Sequence, residues 1–223
     1  MSSLSSIRPL KLVAVSGAPN TPSKTESLLD AILVQLKQHI QFEVEYVKLS
    51  QIGHLLNGAA SRDLLAIEVQ QALTQIETAD ALIVASPIYR ASYTGLFKHL
   101  FDYIDQFALV DKPVLLAATG GSERHALTID HQFRPLFSFF QAQTLPIGVF
   151  ATDKDFEHYK VTNQLLLERI QLATTRAVPQ FLFSSKSSNN ELEPKNDNNA
   201  SQNDAATSQQ VVLKPVERLA LLA

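Results

Sequence analysis

Cysteine is absent from this 223-residue chain. Disulfides, thiolate metal sites and a cysteine nucleophile are therefore excluded. Histidine is sparse, and His39, His54, His99, His125, His131 and His158 show no His-Glu-x-x-His spacing, so no metal site is expected. No apolar run approaches the ~20 residues of a membrane span. The first residues, Met1 to Arg8, are polar and hold no apolar signal core, which points to a cytoplasmic protein with no membrane partner. Positive charge is not in excess: the net charge of -3 argues against nucleic acid as the main partner.

What is present is a large apolar fraction, 45%, enough for a sizeable core. Apolar runs and helical periodicities alternate five times along the chain. Leu10–Val15 precedes a helical pattern over Ser27–His39, and Gln41–Leu49 alternates as a second strand before a loop over Ser50–Ser61. Arg62–Thr78 is helical, and Ala79–Ser86 is a continuous apolar run suited to a strand buried on both faces. A helix over Leu96–Phe107, a strand over Val114–Ala118, a helix over Glu123–Gln141, a strand over Thr144–Phe150 and a helix over Asn163–Ala177 complete the pattern. Parallel strands need crossover connections, so this alternation specifies a doubly wound α/β fold with five parallel strands and helices on both faces. In such sheets the loops leaving the first, third and fourth strands meet at one edge, where ligands bind.

Those three loops carry the unusual chemistry. The first, Ser16-Gly17-Ala18-Pro19-Asn20-Thr21-Pro22-Ser23-Lys24-Thr25, joins a strand to a helix start and is rich in hydroxyls. It is neither a Walker A sequence nor a dinucleotide fingerprint. Its free N–H groups and the helix dipole favour an anion, with Ser23, Thr25 and Lys24 as further donors. The same residues also suit a plain βα turn with a serine cap. The second loop offers Pro87, Ile88, Tyr89, Arg90 and Tyr93, the tyrosines serving either a ligand or strand-end packing. The third offers Thr119, Gly120, Gly121 and Ser122, where missing Cβ atoms let a flat ring approach backbone N–H groups, or simply make a tight turn. An anion pocket beside an aromatic, glycine-backed slot suits flavin mononucleotide (FMN), and the shape expected is that of a flavodoxin-like fold.

With these loops in view, residues 10–183 resemble the NAD(P)H-dependent FMN reductases of two-component sulfonate monooxygenase systems. The resemblance is carried by Gly17–Thr25, Ser86–Gly95 and Ala118–His125. It implies an NAD(P)H:FMN oxidoreductase whose first loop (Ser16, Ala18, Asn20, Ser23, Lys24, Thr25) binds the FMN phosphate. Pro87, Ile88, Tyr89 and Arg90 would flank the isoalloxazine, and Thr119 to Ser122 would meet its polar edge. Hydride transfer is carried by NAD(P)H and FMN themselves, so no acid–base residue is assigned as catalytic. The resemblance further implies that reduced flavin passes to an FMNH2-dependent monooxygenase that liberates sulfite from alkanesulfonates. The broader family has Gly-Ser-x-Arg where this chain has Gly17-Ala18-Pro19-Asn20. Lys24 supplies a charge there, but a point charge does not replace a bidentate guanidinium. A reductase that releases its flavin tolerates that loss. Alternatives on the same fold are a flavodoxin-like quinone or azo reductase, or an electron carrier with tightly bound FMN, or an interaction protein with a vestigial pocket.

Two further expectations concern the second half of the chain. Pro135 lies within the predicted helix Glu123–Gln141 and deprives the His131 carbonyl of its donor, which favours a kink or a π-bulge near His131. In the family the corresponding helix carries an inserted residue at a subunit interface near the flavin, and the apolar face Phe133, Leu136, Phe137, Phe139 and Phe140 suggests a homo-dimer or tetramer. By composition, 1–9 is an N-terminal arm, 10–183 the catalytic domain, 184–210 a disordered polar linker and 211–223 an apolar C-terminal segment.

Overall fold

Strand β1 (Leu10–Ser16) lies in the interior of a parallel sheet, in keeping with its mostly apolar residues, buried on both faces. The computed structural model describes residues 8–190. The remaining elements are α1 (Lys24–Lys37), β2 (Phe42–Lys48), a short α2 (Leu49–Ile52), α3 (Ile67–Thr78), β3 (Ala81–Pro87), α4 (Gly95–Phe101), β4 (Pro113–Gly120), α5 (Arg134–Phe139), β5 (Gln143–Thr144), β6 (Val149–Thr152), the two-residue strands β7 (Phe156–Glu157) and β8 (Lys160–Val161), and α6 (Gln164–Asn190). The sheet order is β2-β1-β3-β4-β5, with β6 also paired parallel to β4. The expected fifth strand is thus two pieces. Pro146 cannot donate to a ladder, and Gly148 packs so closely that a Cβ would meet Ile129 at 2.9 Å.

Alternate residues of the central strands feed two cores. Val13, Val15, Leu82, Val84, Val114 and Leu116 face α3, α4 and α5, whereas Leu12, Ala14, Ile83, Leu115 and Ala117 face α1 and α6. Each fully buried Leu, Ile or Phe contributes ~1.5–3 kcal/mol of transfer free energy, so both faces are needed to hold the sheet. Helix α1 buries Leu28, Leu29, Ile32, Leu33 and Leu36, and Ser23 caps it by accepting from the Thr25 N–H at 3.1 Å.

Several elements differ from the periodicity reading. The expected loop over 50–61 contains α2 and a 3-10 turn, Gly53–Leu56, because Leu49 and Leu56 are buried. The helix expected over 123–141 is a 3-10 turn (Glu123–His125), a π-helical turn (Ile129–Phe133) and α5. The Arg134 N–H bonds the Ile129 carbonyl, five residues back, as the π turn requires. The bulge expected at His131 is therefore present, and Pro135 sits just beyond it at the start of α5.

Helix α6 runs past Ala177 and past Pro179 to Asn190. A buried stripe of Ile170, Ala173, Ala177, Phe181 and Ser185 continues through the proline, so packing outweighs one lost hydrogen bond. The Ser184 hydroxyl donates to the Asp80 carbonyl at 2.7 Å, so the first residues assigned to the linker continue the helix. The rest of the linker from residue 191, the apolar segment 211–223 and most of the N-terminal arm lie outside the described residues. Among the described residues no helix is long and apolar enough to cross a membrane, and no cluster of metal-ligating side chains occurs.

Candidate active site

The three loops leaving β1, β3 and β4 meet at the carboxyl edge of the sheet and are tied together by small polar groups. The Gly17 N–H donates to the Ala85 carbonyl at 2.7 Å, and the Thr94 hydroxyl, which also caps α4, donates to the Gly17 carbonyl at 2.9 Å. This approach requires glycine, because a Cβ at Gly17 would meet Ser86 Cβ at 2.7 Å and Phe97 at 2.8 Å. The Ile88 N–H bonds the Thr119 carbonyl at 2.7 Å, and the Thr25 and Thr119 hydroxyls lie 2.6 Å apart. Both threonines are buried, so this contact fixes the start of α1 against the end of β4.

Between the loops lies a cavity of about 420 Å³, within the range of small-molecule sites. Of the expected residues, Ala18, Asn20, Ser23, Lys24, Thr25, Pro87, Ile88, Tyr89, Thr119, Gly120 and Gly121 line it. Three do not. Ser16 is fully buried, where its Oγ accepts from the Ala18 N–H at 3.3 Å and shapes the loop from beneath. Arg90 is exposed in a turn with φ of 52°, followed by Ala91 at 67°. Ser122 is the extended residue before the 3-10 turn. Tyr93 also stays outside the cavity and packs on Phe97 and Phe133, with ring centroids 5.4 Å from each. Burial raises its phenol pKa.

The wall missed by sequence reasoning is supplied by Asp153 and Tyr159. Asp153 opens a 3-10 turn (Asp153–Asp155) held by Thr152, whose N–H and hydroxyl both donate to Asp155 Oδ2, at 2.6 and 2.9 Å. Tyr159 sits at the tip of the β7–β8 hairpin, where His158 and Tyr159 have φ of 47° and 63°. Neither residue belongs to a run long enough to show periodicity.

The cavity is fitted for an anion at the α1 end. Among the described residues no protein acceptor takes the backbone N–H groups of Asn20, Thr21, Ser23 or Lys24. Lys24 stands beside them, its Nζ 2.8 Å from Asp153 Oδ1. Behind the loop, Glu26 is buried and accepts from Ser50 at 2.9 Å and from Thr21 and Lys48 at 3.4 Å each, which anchors the loop to the end of β2. At the far end Gly121 lines the cavity, and a Cβ there would meet no atom within 4 Å. Free amides with a cation for a phosphate, and a bare backbone for a flat ring, match the parts of FMN.

Comparison with known proteins gives the family. Residues 10–157 match the family described as NADPH-dependent FMN reductase. The chain is 57% identical over 174 residues, 78% of its length and 93% of the relative's, to a protein named NADH-dependent FMN reductase SfnF from Pseudomonas fluorescens. It is 53% identical, over 78% of its length and 93% of the relative's, to one named FMN reductase (NADPH) from Pseudomonas aeruginosa. An oxidoreductase structure from Corynebacterium diphtheriae superposes with a TM-score of 0.70 at 31% identity, covering 79% of this chain and 99% of that one. A WrbA-like flavodoxin from Agrobacterium tumefaciens, TM-score 0.54 at 13% identity over 78% of this chain and 98% of that one, shares the fold. The chain belongs to the NADPH-dependent FMN reductase family and is an NAD(P)H:FMN oxidoreductase.

Proposed function

We propose that the cavity takes FMN with its phosphate on the Asn20–Lys24 loop and its ring between Pro87–Tyr89 and Thr119–Gly121, and that the enzyme hands the reduced flavin to a partner monooxygenase. The observation that carries this reading is the row of unpartnered N–H groups beside Lys24, opposite the open backbone of Gly121. Hydride passes between nicotinamide and flavin by chemistry the two cofactors carry. The protein's part is to hold the phosphate, keep the ring's polar edge against Thr119–Gly121, and leave Tyr89, which is 54% exposed, at the mouth. A role in sulfonate-sulfur assimilation rests on the family resemblance, as does assembly into a homo-dimer or tetramer.

Purified protein mixed with NADH or NADPH should oxidise it only when FMN is added, read by the fall in nicotinamide absorbance. Flavin that stays bound through gel filtration would instead favour the quinone-reductase or electron-carrier alternative. Exchanging Lys24 for Ala should weaken FMN about tenfold or more while riboflavin, which lacks the phosphate, changes less than about twofold, since hydrogen bonds to a charged group contribute ~1.5–3 kcal/mol. Equal losses for the two flavins would overturn the phosphate assignment.

A further inference from the structure

The turn after β6 puts an acid against the cation of the anion-binding loop. Lys24 comes from the first residue of α1 and Asp153 from the turn 129 positions later, yet Nζ and Oδ1 are 2.8 Å apart across the cavity wall. The turn that carries the acid is itself fixed, while the Asp153 side chain stays exposed beside Lys24. Asp155 Oδ2 takes two bonds from Thr152, and the Asp155 carbonyl accepts from the Thr162 N–H at 3.0 Å, so the turn is pinned to both its own start and the strand leading into α6. Lys24 has no other ion-pair partner among the described residues. A site built only to grip a phosphate would leave its one cation free and keep carboxylates away.

We propose that Asp153 sets how loosely FMN is held, by competing with the flavin phosphate for Lys24. The inference rests on the reading that the Asn20–Lys24 loop takes that phosphate, and it deepens it. When FMN enters, its phosphate meets a lysine already neutralised and a carboxylate of its own sign nearby. Both effects lower affinity for FMN and neither touches riboflavin. They act on dissociation most strongly, because the carboxylate returns to Lys24 as the phosphate leaves. A flavin carrier that must give up its product gains from such a competitor, which a single exposed acid supplies without loosening the ring-binding loops.

The test is a double-mutant cycle at Lys24 and Asp153 read by flavin fluorescence, with equilibrium and stopped-flow titrations of both FMN and riboflavin. Asp153→Asn keeps the side-chain size and an oxygen that accepts from Lys24 but removes the charge. It should tighten FMN about three- to tenfold, the scale of one like-charge contact near a surface, mainly through slower release. Riboflavin should change less than about twofold. In a Lys24→Met background the same Asp153→Asn change should lose most of its effect on FMN. At ~0.5 M salt the wild-type difference between the two Asp153 forms should shrink, because exposed charges are screened. Weaker FMN binding in Asp153→Asn, equal gains for both flavins, or an undiminished gain in the Lys24→Met background would each overturn the proposal. If Lys24→Met alone shifts FMN and riboflavin equally, the phosphate assignment itself fails, and that outcome is distinct from the others.

Discussion

At the scale of single residues, the most informative group outside the site is Lys112. It precedes β4, is 8% exposed, and reaches the last turn of α3, where Nζ donates to the carbonyls of Glu77 at 2.8 Å and Ile76 at 3.3 Å. Two orphan carbonyls at a helix C-terminus are thereby satisfied by a cation, the favourable sign for that end of the dipole. Burial nevertheless pushes its pKa down from 10.5 to about 8, only partly offset by Asp80 and Glu77. The folded state therefore binds its proton less tightly than the unfolded chain. The cost of burying the ammonium is fully present below about pH 8 and is relieved as pH rises toward 10.5. The stability difference between wild type and Lys112→Met should accordingly grow in favour of wild type by ~1–3 kcal/mol between those limits. Denaturant titrations of both proteins across pH 7–10.5 measure it, and a flat difference would contradict the assigned burial effect. Glu26 makes the complementary case: no pattern in the sequence singles it out, yet it anchors the loop after β1. Three contacts from Thr21, Lys48 and Ser50 cannot be seen in a linear pattern because two of them come from the end of β2 and the start of α2.

Among elements, legibility followed length. The strands that supply the three loops are long and apolar, so their positions, the parallel order and the convergence of Ala18–Thr25, Pro87–Tyr89 and Thr119–Gly121 could be read from periodicity and topology alone. The β7–β8 hairpin has strands of two residues each, below any periodic signal, and with it Asp153 and Tyr159 stayed hidden. Helix α6 outran its proline because the stripe Ala177, Phe181, Ser185 keeps packing, while the carbonyl that Pro179 leaves without a donor belongs to exposed Thr175. The π turn was legible for a local reason. A proline ring in a regular helix collides with the carbonyl four residues back, here that of His131, and one extra residue per turn removes the collision. Deleting His131 should restore the regular four-residue spacing between Arg134 and Ile129 and rotate everything upstream by ~100° relative to α5. Flavin affinity or assembly size should then change, as titration and light scattering would report. A deletion variant matching wild type in both would leave the bulge without a role in either.

Across the whole molecule, the doubly wound sheet gathers the chemistry at its carboxyl edge and leaves a different kind of surface beside the π turn. Leu127 and Phe139 are 63% and 65% exposed there, and Phe107 is 48% exposed. A groove of about 520 Å³ lined by Tyr93, Phe101, His131, Pro135, Leu136 and Phe140 runs alongside Phe139. Phe139 stands edge-on to Phe140 at 5.2 Å, which holds the ring outward without burying it. In the proposed homo-oligomer a second copy of this chain would place its own apolar face here, and in a two-fold interface each residue is used twice. Burying a Phe contributes ~1.5–3 kcal/mol, so two copies of Phe139 in such an interface would account for roughly two to four decades in the dimer dissociation constant. Exchanging Phe139 for Glu removes that contribution and sets like charges near the two-fold axis. The residue makes no bond to the flavin cavity, so the fold should persist by circular dichroism while the mass at micromolar concentration falls to that of a single chain. An unchanged assembly mass for Phe139→Glu would move the interface to another face.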